Sequence, residues 1–105
     1  MFTRQLTMKL KRNAAPELAH VIESEILPLL RKQKGFRDML TLVAPDRLDA
    51  VTNTFWDTKE DAEAYNRTTY PEVLKALANV VEKNPRVATF DVATSTFYQT
   101  AAQTA

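Results

Sequence analysis

The 105-residue sequence contains no cysteine. That absence removes disulfides, thiolate nucleophiles and thiolate metal ligands together. There is one histidine, His20, and the carboxylates form no cluster at metal-ligand spacing, so neither a bound metal nor a cofactor is expected. Charge of one sign is also missing: 14 basic residues face 13 acidic ones, for a net +1. Nucleic-acid binding needs a concentrated basic face. The small groups Lys9, Lys11, Arg12 and Arg31, Lys32, Lys34, Arg37 sit near element ends and read as solvated surface. No long apolar run exists, and the first eight residues, Met1 to Met8, merely alternate. Neither a signal peptide nor a membrane span is expected, so no nucleic-acid or membrane partner is expected and a cytoplasmic location is the default.

What is present suits a globular chain: 45% hydrophobic and 26% charged residues. Its length is that of one domain. Residues 1–99 read as that domain and 100–105 as a flexible tail with nothing to anchor it. A core this small gives a single copy limited stability.

Hydrophobic periodicity divides the chain. Over 2–10, Phe2, Leu6, Met8 and Leu10 share one strand face, interrupted by Arg4. Over 14–33, Leu18, Val21, Ile22, Ile26 and Leu29 recur at helical spacing, with Asn13 as cap and Pro16 in the first turn. Pro28 lies inside this pattern and should disturb the helix near Ser24–Glu25, where a carbonyl loses its donor. Gly35, the only glycine, follows directly, where a left-handed helix end is expected. A strand over 36–44 places Phe36, Asp38, Leu40, Leu42 and Ala44 on one face and Arg37, Met39, Thr41 and Val43 on the other. A turn over 45–49 leads to a third strand over 50–56, with Val51, Asn53 and Phe55 opposite Thr52, Thr54 and Trp56. Thr58 and Asp61 form a capping pair for a helix that carries Tyr65 and Asn66 and breaks at residues 68–71. Thr69 and Glu72, with Pro71 in the first turn, form a capping box for a second helix ending near Lys83–Pro85. Residues 86–98 read as a final strand.

The order β-α-β-β-α-β specifies an α+β, ferredoxin-like plait. Right-handed crossovers put the first and third strands in the middle of a four-stranded antiparallel sheet, with the helices on one face. Apolar residues nevertheless occupy both faces. A second copy is the simplest cover for the other one, so the expected partner is the chain itself, as a homodimer.

Three stretches carry a family resemblance. They are the proline-containing helix running into glycine (Ile26-Leu27-Pro28-Leu29-Leu30, then Gly35-Phe36), the strand ending in tryptophan before a capped acidic helix (Thr54 to Ala62), and the restart at Tyr70-Pro71. Over residues 2–98 the chain resembles the antibiotic biosynthesis monooxygenase-like family of the dimeric α/β-barrel superfamily. The resemblance implies a substrate space between sheet and helices near the third-strand tryptophan, a position that Trp56 matches. Relatives include cofactor-free oxygenases that convert polycyclic phenols to quinones, and haem-degrading enzymes. The latter use a histidine on the following helix and an asparagine on the first strand. This chain has Asn66 and Gln5 there, and His20 lies on the other helix, so haem degradation is not expected. Quinone-forming relatives carry an asparagine before the tryptophan on the same strand face; here that face holds Thr52 and Thr54, and Asn53 points the other way.

The pocket candidates are thus Trp56, Tyr65, Tyr70, Arg4 and Thr54, with no catalytic residue identified. Each has two readings. Trp56, Tyr65 and Tyr70 either pack the core or line a ligand cavity. Arg4 either pairs with Asp38, the other polar interruption, or stays partly exposed, or faces a cavity and holds an anionic oxygen such as a phenolate. His20 reads as solvated, and Asn53 as a hydrogen-bonding group at the dimer interface. Two functions follow: a cofactor-independent monooxygenase or related oxidoreductase acting on a small aromatic or polycyclic substrate, or a non-catalytic dimeric module that binds a small aromatic ligand or is structural. The Trp56 context favours the first; the lack of a strong acid–base pair favours the second.

Overall fold

The computed structural model describes residues 1–98. Its elements are β1 (Phe2–Lys9), α1 (Ala15–Val21), a π-helical stretch (Ile22–Ile26), α2 (Leu27–Leu30), β2 (Phe36–Val43), β3 (Asp49–Trp56), α3 (Lys59–Thr68), α4 (Tyr70–Leu77) and β4 (Arg86–Asp91). The four strands form one antiparallel sheet in the order β2-β3-β1-β4. This is the ferredoxin-like plait, with β1 and β3 central. Among the described residues no helix is long and apolar enough to cross a membrane.

Alternation on the two central strands builds the core. Phe2, Arg4, Leu6 and Met8 of β1 and Ala50, Thr52, Thr54 and Trp56 of β3 are all buried beneath the helices. Leu18, Val21, Ile22, Ile26 and Leu30 close the layer from one helical arm, and Ala62, Tyr65, Tyr70, Val73 and Leu77 from the other. The opposite sheet face is open. Leu40, Leu42 and Phe90 are each about half exposed there, at 50%, 51% and 52%.

Pro28 acts where expected. Having no N–H, it cannot serve the Ser24 carbonyl, and the chain widens into a π-type turn in which Leu27 N–H donates to Ile22 O. Gly35 takes φ +79, and the Asp61 carboxylate occupies the place a Cβ would need. Thr58 caps α3, its Oγ1 accepting from Asp61 N–H at 3.1 Å.

Four expectations are corrected. Asn13 does not cap α1: it adopts φ +61, turning the chain out of β1, and Ala14 occupies the cap position with no side-chain bond. Thr69 caps nothing through its side chain, since its φ of −120 and ψ of −31 are not those of an extended cap residue. β2 carries a bulge between Phe36 and Asp38, so Phe36 pairs opposite Trp56 while Asp38 pairs opposite Phe55. Phe36 therefore joins Met39, Thr41 and Val43 on the helix side, away from Leu40 and Leu42. Finally, β4 ends at Asp91 and not at residue 98. Asp91 pairs with Phe2, the first residue of β1, and the ladder closes with the bond from Val92 N–H to Met1 O. The following segment turns toward the open sheet face, where Tyr98 Oη donates to Asp38 Oδ2 at 3.0 Å and its ring lies 5.7 Å from that of Phe55. The expected tail, 100–105, and the domain limit at 99 lie outside the described residues.

Candidate functional site

Arg4 is the centre of the site. Strand alternation points it inward between Phe2 and Leu6, and it is only 5% exposed. No carboxylate pairs with it: the ion pairs among the described residues are Lys9–Asp49, Arg37–Asp57 and Lys59–Glu63, all at the surface. The alternative of an Arg4–Asp38 pair is thereby overturned, because Asp38 pairs opposite Phe55 on the other face of the sheet and is bonded to Tyr98.

Aromatic rings and one amide take the place of an acid. The Arg4 guanidinium carbon lies 4.6 Å from the Tyr70 ring centre and 5.5 Å from that of Tyr65. Its Nη1 donates to Asn66 Oδ1 at 3.0 Å. Tyr65 comes from the buried flank of α3 and Asn66 from the exposed position beside it, while Tyr70 opens α4, turned inward by the break at Thr69. Behind them the rings continue, Tyr65 to Trp56 at 4.9 Å and Trp56 to Phe36 at 5.6 Å. Trp56 is fully buried, and its indole N–H donates to Thr54 Oγ1 at 2.9 Å.

A small void of about 10 Å³ lies among Arg4, Thr52, Thr54, Tyr65, Tyr70 and an apolar wall that includes Leu6, Ile22, Ile26, Leu30, Met39, Val73 and Leu77. It is roughly the space that one water requires. Three enclosed polar side-chain atoms lack a partner among the described residues, Arg4 Nη2, Thr52 Oγ1 and Tyr70 Oη, and all three belong to residues lining this void. Buried polar atoms are ordinarily paired, so three orphans around one void mark a place built to receive something polar. The structure brings Arg4, Thr54, Tyr65 and Tyr70 to the void; it sets Trp56 one layer behind, outside its lining.

Burial pushes the Tyr65 phenol well above its ordinary value, with Arg4 opposing the shift in part; Tyr70 is raised for the same reasons. Burial lowers the Arg4 guanidinium from its usual value, while the two tyrosines act the other way. The phenols thus stay protonated at neutral pH and can donate but not act as bases. The residues around the void include no carboxylate and no imidazole. Asn66 and Thr52 were absent from the candidates drawn from sequence. Thr52 shares the face of Thr54, and Asn66 stands four residues after the inward Ala62, so both were within reach of the spacing argument.

No family model matches the sequence, and no curated protein matches it. Solved structures do match the architecture. A monooxygenase of Streptomyces coelicolor in complex with nanaomycin D superposes with a TM-score of 0.77 at 14% identity, covering 90% of this chain and 88% of that one. SnoaB, a cofactor-independent oxygenase of Streptomyces nogalater, gives 0.71 at 14%, covering 90% and 95%. A protein of Bordetella bronchiseptica described as a candidate antibiotic biosynthesis monooxygenase gives 0.73 at 10%, covering 87% and 95%. The chain therefore has the fold of antibiotic biosynthesis monooxygenase-like proteins, as the element order and the three sequence stretches imply.

Proposed function

We propose that the chain binds a small aromatic molecule with an ionisable oxygen between its sheet and helices, and oxidises it with O₂ without a cofactor. The observation that carries this reading is Arg4: a buried guanidinium with no acidic partner, one nitrogen unbonded, beside two protonated tyrosines. A lone buried cation is costly unless a ligand supplies the negative charge. A phenolate or enolate held there would be stabilised in its electron-rich form, the form that reduces O₂. In such a reaction a ring CH₂ becomes C=O. One oxygen atom of O₂ forms the new carbonyl, the other leaves as water with the two hydrogens, and the substrate supplies all four electrons. The fold shared with two proteins described as oxygenases agrees with this chemistry.

The void is too small for a ring, so binding must widen it. The break between α3 and α4 and the π-type turn at Ile22–Ile26 are where helical hydrogen bonding is already interrupted. The second copy is part of the same reading: Leu40, Leu42, Val51, Phe55 and Phe90 share the open sheet face, and a homodimer through that face would cover them.

A second reading, a dimeric module that binds a small ligand without turnover, is favoured by the absence of any base around the void. Oxygen consumption with a panel of hydroxylated anthrones and naphthols separates the two. The enzyme reading expects one O₂ consumed per quinone formed, and loss of that uptake in Arg4→Met. Tight binding of the panel with no uptake would leave the binding module.

A further inference from the structure

Arg4 lines two cavities and is the only described residue common to both. One is the small void. The other is an open surface pocket of about 190 Å³, bounded by Phe2 and Thr89 of the sheet and by Lys59, Glu63 and Asn66 of α3. The two terminal nitrogens of Arg4 divide accordingly. Nη1 is bonded to Asn66, an exposed residue of the outer pocket, and Nη2 is enclosed without a partner. Arg4 thus stands between the two, held on the outer side by Asn66.

We propose that the outer pocket is a second subsite for the same aromatic anion, and that the anion passes to the void when Arg4 exchanges Asn66 for the ligand oxygen. This rests on the reading of the void as a ligand site. Size supports it: an engineered cavity of about 150 Å³ accepts a benzene ring, which the outer pocket exceeds and the void does not approach. Charge supports it as well. Lys59 and Glu63 stand 3.8 Å apart on the rim and offset one another, which leaves the Arg4 cation as the net charge of the pocket. Phe2 supplies an apolar wall. Asn66 Oδ1 is a neutral acceptor at a cation, and an anionic oxygen is the better partner in its place. The exchange therefore favours aromatic anions over their neutral forms.

Trp56, the only tryptophan, lies against Tyr65 of the void and pairs across from Phe2 of the outer pocket, so its fluorescence reports ligand arrival without any turnover. The probe is 4-nitrophenolate, followed by stopped-flow quenching of the whole protein. Thr89 is exposed and stands directly across from Arg4 on β4, so Thr89→Phe fills the mouth without touching the core. Thr89→Phe should slow association and dissociation together, each at least about tenfold, leaving Kd within about threefold. Asn66→Ala should speed association at least about threefold, because the competing acceptor is gone. A merely structural defect would shift Kd and would not slow both rates in step. Unchanged rates in both variants, with the probe still bound, would overturn the outer subsite alone. Absence of quenching and of calorimetric binding in the unaltered protein would overturn the ligand site and this inference with it.

Discussion

The indole N–H of Trp56 donates to Thr54 Oγ1 at 2.9 Å, two residues back on the same face of β3, and both side chains are buried. The bond satisfies the one polar atom of the largest core side chain. Thr54→Val keeps the shape and strands that N–H, at a cost of about 1–3 kcal/mol by urea denaturation. In a Trp56→Phe background the same change should cost much less, since no donor remains to be stranded. Equal costs in the two backgrounds would show that the bond contributes nothing.

Arg4→Met tests the unpaired cation. Replacing a buried charge without an acidic partner by an apolar chain of similar length should leave stability unchanged or raise it by about 1–2 kcal/mol, while 4-nitrophenolate binding is lost. A loss of stability of several kcal/mol would mean that the tyrosine stacking and the Asn66 bond outweigh the desolvation of the guanidinium.

Gly35→Ala should destabilise by about 1–3 kcal/mol. Two causes combine at this residue: a backbone at φ +79, and the Asp61 carboxylate standing where the methyl group would go. A change within a few tenths of a kcal/mol would indicate that this turn relaxes freely.

Leu42→Lys places a charge in the middle of the open sheet face, on a side chain already 51% exposed. If copies associate through this face as proposed, sedimentation should show the parent as a dimer and the variant as a monomer, with the circular dichroism spectrum kept and the melting temperature lowered. A dimeric variant would mean that copies associate through another surface.

The alkaline limb of stability has a definite sign. The folded protein holds the Tyr65 phenol above its ordinary value of 10.0, mainly through burial. The neutral form is the one the fold favours, so this contribution is complete below pH 10.0 and is lost as pH rises toward the elevated folded value. The loss runs at about 1.4 kcal/mol per pH unit for each such tyrosine. Tyr65→Phe should flatten that slope in urea denaturation above this pH. A parent and variant of equal slope would refute it.

Most of the fold was legible along the chain, because its signals are local. Two-residue alternation set the buried faces of β1 and β3, and the missing N–H of Pro28 located the irregular turn. The left-handed Gly35 and the Thr58 cap each depend on residues no more than a few positions apart. The β-α-β-β-α-β order and the three stretches around Pro28, Trp56 and Tyr70 were enough for the plait.

What only the tertiary structure decided depends on partners distant in sequence. The bulge that moves Phe36 to the helix side is a mismatch between β2 and β3, and the register that pairs Asp91 with Phe2 joins β4 to a strand more than 80 positions away. The sequence could say that Arg4 interrupts an apolar face, with Asp38 as one partner and a cavity as the other. The folded chain places Asp38 on the far side of the sheet and brings Asn66, Tyr65 and Tyr70, all more than 60 positions away, around the guanidinium. Strand period fixes which way a side chain points; what waits there to meet its charge is settled only when the helices close over the sheet.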